Sequence, residues 1–284
     1  MSPTDFGRAL SPAPASPLRA ATTLALWSAA VAGGASADAA IDALSAAGMP
    51  HGARTASPRA AETLPELPGP GEPHSGHAEL LAFVRRGGPA ELVLPMPGDL
   101  RGLPPGGEIT LPALDAGAVV VLPDHGVGLV PAHGHWRAYP CGPAHAALAE
   151  RDARALVEGA IADATAALAR ADVARDAGDP REQMRRLIVA EDIDTPRGMP
   201  PAASALLAQS ITLHALLQVA FTHETAAATV RDLHAVDAAL APLAAAVRES
   251  RRTAVAMTVS ALHPASSGRN ATVGGRAATR PQAG

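Results

Sequence analysis

Residues 118–140 read AVVVLPDHGVGLVPAHGHWRAYP, and the fold turns on how they are read. AVVVLP (118–123) is apolar at every position, so both of its faces must be covered and it belongs inside a sheet. Pro123-Asp124-His125-Gly126 has turn composition, and VGLVP (127–131) then returns as the second arm of a hairpin. HWRAYP (135–140) reads as a last, short edge strand. Side chains alternate along a strand, so His133, His135, Arg137 and Tyr139 share one face, while Trp136 and Ala138 take the other, toward the core. Upstream, ELVLP (91–95) is a further strand and EITLP (108–112) a second short one, joined by a Gly/Pro loop. The sheet is therefore small and mostly antiparallel.

Helical periods flank it on both sides. Leu18, Leu24, Trp27 and Val31 mark a helix over 18–32. Ser36 is placed to cap another over 37–47, which Gly48 and Pro50 close. Residues 49–75 are Pro-rich and read as a long loop, and HAELLAFVRR (77–86) is helical up to Gly87-Gly88. After the sheet, 144–177 is one long helix with Leu156, Ile161, Ala164 and Leu168 along its stripe and Glu150, Arg154 and Glu158 on a solvated face. Asp179-Pro180-Arg181-Glu182 combines an N-cap, a first-turn proline and a capping-box acid, starting a helix over 180–190. The 201–222 segment is almost uncharged and belongs at the centre of a bundle. The last helix, 225–258, carries Val230, Leu233, Leu240, Leu243 and Val247, with Pro242 as a kink. The fold class is α+β: N-terminal helices with a small, mostly antiparallel sheet over 17–142, then a helical bundle over 143–262. The bundle is either a domain of its own or packed over the sheet. Residues 1–16 and 263–284 lack apolar surface and read as disordered tails.

Composition narrows the function. All 23 basic residues are arginine, the net charge is -4, and the aromatics are Phe6, Phe83, Phe221, Trp27, Trp136 and Tyr139. Neither a basic surface nor stacking platforms for nucleic acid are available. The abundance of Ala, Gly, Pro and Arg matches the codon bias of a GC-rich bacterial genome. A single cysteine rules out an intrachain disulfide and agrees with a reducing cytoplasm. Secretion through residues 19–37 is the competing reading, because an apolar stretch there ends in Ala35-Ser36-Ala37. No uninterrupted apolar run is long enough to span a bilayer, so no membrane role is expected. LVLPMPGDLRGLP (92–104) and AGAVVVLPDHGVGLVP (116–131) resemble a set of soluble actinobacterial proteins. No established activity goes with that set, so the resemblance implies a soluble cytoplasmic protein and brings no catalytic residues.

The candidate ligand-binding residues are His133, His135, Arg137 and Tyr139. Two histidines two apart on a strand reach one ion, and Cys141 and His145 could add ligands. Arg137 stands between the would-be ligands, however, so a solvated polar edge is favoured over a metal, and an anion is the favoured occupant if there is one. His74 and His77 form a second pair in or beside a loop. Cys141 as a nucleophile would need a nearby base, for which His145 is the candidate. His214 reads as a core histidine, and Glu191, Asp192 and Asp194 as a solvated acidic loop. GVGLVP lacks the third glycine and following helix of a dinucleotide site, and neither a P-loop nor a G-x-S-x-G elbow occurs. No cofactor and no metal are expected. The leading expectation is a non-catalytic interaction or assembly module that self-associates through its C-terminal helices. The alternative is a metal- or small-ligand-binding enzyme centred on 133–145.

Overall fold

The apolar stretch does lie inside a sheet. In the computed structural model, which describes residues 16–104, 107–171, 180–222 and 230–263, β3 (Val119–Leu122) has all four side chains buried and a strand on each side. The sheet has five strands in the order β1-β5-β4-β3-β2, where β1 is Ala53–Thr55, β2 Glu91–Val93, β4 Val127–Ala132 and β5 His135–Pro140. β2–β3, β3–β4 and β4–β5 are antiparallel, with Val120 opposite Leu129 and Val130 opposite Arg137. β1 runs parallel to β5, with Arg54 opposite Arg137.

That last pairing corrects two expectations. HWRAYP is not an edge strand, because β1 covers its outer side. The 49–75 segment is not all loop either: it holds β1 and α3 (Pro58–Thr63). Ser57 caps α3 by accepting from the Ala60 N–H at 3.1 Å, and Pro58 takes the first turn. Three residues of strand are too few for alternation to announce them; β1 exists because β5 offers it a ladder. A third correction concerns EITLP, which forms no strand: Glu108 and Ile109 lie in a turn and Thr110 begins α5, which spans Thr110–Ala116. Pro112 sits in its first turn, where an N–H would have no helical partner, and Gly117 stops it at φ 67°.

The helical expectations fare better. α1 (Pro17–Ala32), α2 (Ala37–Ala46), α4 (His77–Arg86), α7 (Pro180–Ala190) and α8 (Pro201–Thr222) lie where periodicity and caps put them. α6 (Glu150–Ala171) begins six residues later than 144, and residues 141–149 cross to it mostly without regular structure. α9 (Val230–Leu262) contains Pro242. Asp179, the expected cap of α7, lies outside the described residues, as does nearly all of both expected tails.

α1 organises the core. Ala20–Ala30 are buried without a break. The polar members of that run stay satisfied inside the helix: Thr22 and Thr23 donate to Leu18 O and Arg19 O at 2.7 and 2.9 Å, and Ser28 to Ala25 O at 2.9 Å. One sheet face, carrying Val120, Leu129, Trp136 and Ala138, packs in the same apolar cluster as Leu24 and Leu26 of α1, Leu206 of α8 and Val255 of α9. The C-terminal helices thus pack into the core of the N-terminal half. Arg252 fastens the junction: its Nε donates to Leu92 O at 3.0 Å and its Nη2 to His145 O at 2.7 Å. The other sheet face, with Val119, Val121, Val130 and Tyr139, is closed by Ile109 and Ala113 at α5. α8 over Pro201–Ala220, at mean hydropathy 1.3, has the length and composition to cross a membrane, although polar residues interrupt its apolar run. In the fold its Leu206, Leu207, Ile211 and Leu217 are buried against neighbouring elements.

Candidate functional site

Two places gather polar side chains. The first is the end of the sheet that the alternation singled out, and the structure keeps only part of that row together. His135 is buried and Arg137 exposed on the same strand. Tyr139, further along, is sealed in the apolar cluster under α5. His133 is not in the strand but in the β4–β5 turn, at φ 46°, followed by Gly134 at φ 83°. What joins His135 instead is His74 from the loop before α4, with ring centroids 4.1 Å apart, and His51 stacks on His74 at 5.4 Å. His77 turns away and contacts Met49 O at 2.7 Å. Cys141 and His145 stay apart from this group: the Cys141 N–H donates to Gly126 O, while His145 lies beside Arg252. Burial and then Glu91 push the Cys141 thiol up to about 11, which is the wrong direction for a nucleophile. Among the described residues no group of three or more His, Cys, Asp or Glu side chains is placed to hold a metal ion.

The second place is a cleft of about 480 Å³ where the start of α1, the segment after β2, the end of α5 and helices α7, α8 and α9 meet. Its wall is mostly apolar, with Leu18, Met96, Leu187, Leu217 and Ala244 contributing. Its polar lining comes from Glu191, His214, Gln218 and Arg248, with Ser16 at the start of α1. Glu191 directly follows α7, and the residues just after it are anchored. Ile193 is buried in the main core, and the Trp27 indole N–H donates to Asp194 O at 2.8 Å. The acidic loop is therefore solvated only in part: Asp192 and Asp194 are exposed, whereas Glu191 is 9% exposed.

Behind the cleft wall lies Arg251, whose side chain is 1% exposed. Its Nη1 donates to Glu191 Oε2 at 3.3 Å and its Nε to Ser210 Oγ at 3.3 Å, while its buried Nη2 has no partner. One turn earlier on α9, the Arg248 Nη2 donates to Asp99 Oδ2 at 2.9 Å. Arg101 also holds Asp99, through Nε and Nη2 at 2.8 and 2.7 Å, and these bonds keep the Asp99 carboxyl far below the usual carboxylate range. Burial lowers the pKa of His214; Arg251 and Arg248 reinforce that and Glu191 opposes it. At neutral pH His214 is a neutral imidazole, able to donate and accept. An acid, a neutral imidazole, an amide and a guanidinium over an apolar wall can orient a small polar molecule, and such sites favour the seams between structural parts.

Sequence reasoning missed these residues as a group. Glu191 and His214 lie far apart in the chain, and no spacing rule connects them. The available signal was the cluster of Arg248, Arg251 and Arg252, accompanied by Glu249, in the alanine-rich second half of α9. Arginines three apart share a helix face, and a face that turns into the protein must have partners for them.

The fold and the cleft define a class: an α+β protein whose small sheet and helical bundle share a core and enclose a polar-lined cleft where they meet. The chain belongs to the Rv1486c-like protein family: the N-terminal domain of that family matches residues 21–151 and the C-terminal domain residues 151–252. The 92–104 and 116–131 segments, which carry the resemblance to a family of proteins, both fall in the first match. No curated protein and no solved structure matches the chain.

Proposed function

We propose that this protein is a non-catalytic binding module for a small molecule, and that the ligand occupies the cleft lined by Glu191, His214, Gln218 and Arg248. One observation carries the reading: a cleft of about 480 Å³, a size that suits a small organic ligand, has an apolar wall and polar groups from three separate segments of the C-terminal half. One acid and one base line it, so the ligand that fits is neutral or zwitterionic, with an apolar body and at least one hydrogen-bonding end. Thermal-shift screening of small polar metabolites tests this. A ligand present at about a hundred times its Kd stabilises by about 2.7 kcal/mol. The expected result is a stabilising compound whose effect disappears in His214→Leu and Gln218→Ala. A hit that both variants still bind with unchanged affinity would move the site elsewhere. Turnover of the bound compound would favour an enzyme, with neutral His214 as the proton acceptor.

Self-association is a second reading, favoured by apolar side chains that the C-terminal helices leave open: Leu156 on α6, Val189 on α7 and Leu216 on α8 are 38%, 65% and 45% exposed. Light scattering should give a mass above that of one chain at micromolar concentration; a monomer mass rejects this reading.

A further inference from the structure

The sheet end that His135 occupies has an electrostatic imbalance the cleft does not account for. His135 is 6% exposed, and its Nε2 is buried with no hydrogen-bond partner. The Nε2 of His74, whose ring is 4.1 Å from the His135 ring, is buried and unpartnered as well. Buried polar atoms without partners cost free energy, and two adjacent ones call for an explanation in a shared missing group. Arg54 and Arg137 stand opposite each other in the β1–β5 ladder, so their side chains leave the same face of the sheet as His135. Among the described residues neither guanidinium has a hydrogen-bond or ion-pair partner, unlike Arg248, Arg251 and Arg252.

The side chains acting on the two imidazoles are all basic, and only a hydrogen bond to the His133 backbone favours a protonated His135. Arg54 and His51 act on His74; His74, Arg54 and Arg137 act on His135. The nearest acid in sequence, Glu72, has its Oε2 engaged by the Gly69 N–H at 2.9 Å. A divalent metal would face two fixed cations here, so a metal does not fit. We propose that Arg54, Arg137, His74 and His135 form a binding site for a small oxyanion, a phosphate, sulfate or carboxylate group. Paired guanidiniums supply charge-assisted donors, and the two imidazoles supply N–H groups once an anion is present to favour their protonation. Burial, then His74, then Arg54, holds His135 at about 4 when the site is empty. The ring is then neutral, and anion binding takes up a proton. Affinity therefore rises as the pH falls. Because His135 is recessed, a compact headgroup on a free small molecule suits the site better than a membrane surface.

Sulfate is the probe of choice, because it stays doubly charged across the relevant pH range. Calorimetric titration of the full chain with sulfate should show one site per chain, with affinity rising between about pH 7.5 and about pH 5.5. Arg54→Gln/Arg137→Gln, both at accessible positions, should keep the wild-type melting temperature and weaken sulfate by about ten-fold or more. His74→Gln/His135→Gln should remove the pH dependence, and His135→Gln alone should reduce it. Unchanged affinity in the folded double arginine variant, or no binding by the wild type at millimolar sulfate, overturns the proposal. Sedimentation of the protein with phosphatidic acid vesicles, with no binding of free sulfate or phosphate, overturns it in favour of a lipid.

Discussion

Replacing Glu191 with glutamine should unfold this protein more readily than any surface substitution, because of Arg251. The guanidinium is 1% exposed, and Glu191 is the carboxylate that pairs with it, at 3.3 Å. At an effective dielectric constant of about 20, two charges at that distance attract by about 5 kcal/mol. The attraction offsets the cost of desolvating both groups, so the intact pair contributes little net stability, but taking one partner away leaves an uncompensated buried charge. Losses of that kind run to about 3–5 kcal/mol. Glutamine keeps one acceptor oxygen for Arg251, so about 3 kcal/mol is expected for Glu191→Gln. In a chain of this size that lowers the melting temperature by roughly 6–12 °C. Urea unfolding of Glu191→Gln, Arg251→Met and the double variant completes a cycle. The double variant should recover to within about 1 kcal/mol of wild type, because neither buried charge remains. A loss below about 0.5 kcal/mol in the single variant, or strictly additive effects, would refute the argument and place Arg251 in contact with water.

Three further outcomes follow from other parts of the fold. His135 is lowered from 6.5 to about 4 by burial, so between those values the unfolded chain binds the proton more tightly than the folded one. Its contribution is complete above about pH 6.5 and is lost as the pH falls toward 4, on the order of 1–2 kcal/mol after solvent screening; His135→Phe should flatten that part of the stability profile, and an unchanged slope counts against it. Cys141, pushed up to about 11, should react with iodoacetamide at least about ten times more slowly than a free cysteine at mildly alkaline pH, and comparable rates would show the thiol to be solvated. Gly52→Ala places a Cβ 2.4 Å from Ser75 O and 2.5 Å from Gly76 O, backbone atoms that cannot swing aside, so a loss of about 2 kcal/mol or more is expected by urea unfolding; a neutral effect would mean that the 75–76 segment shifts freely.

The α+β class, most helices and the strands of the β3–β4–β5 meander were legible from the chain because each signal is local. Periodicity, Ser36- and Gly87-type punctuation and the all-apolar AVVVLP need only neighbours in sequence, and the elements they mark recur in the structure. What the chain by itself could not disclose depends on partners distant in sequence. β1 is three residues long and forms only because β5 offers it a free edge, which then turns HWRAYP from an edge strand into an interior one. EITLP carries β-branched residues but forms no strand and runs into α5, because burying Ile109 against the second sheet face outweighs the intrinsic preference of the segment. His135 was legible as a candidate, but the side chains around it were not: His74 reaches it from 61 positions upstream, while His133, two residues away, is lost to the turn. Glu191 and Arg251 are 60 residues apart and meet only when α7, α8 and α9 pack. Hydrophobic pattern is a property of residue order and survives in the sequence. The compensation of one buried charge by another depends on distance in space, and only the packed chain sets that distance.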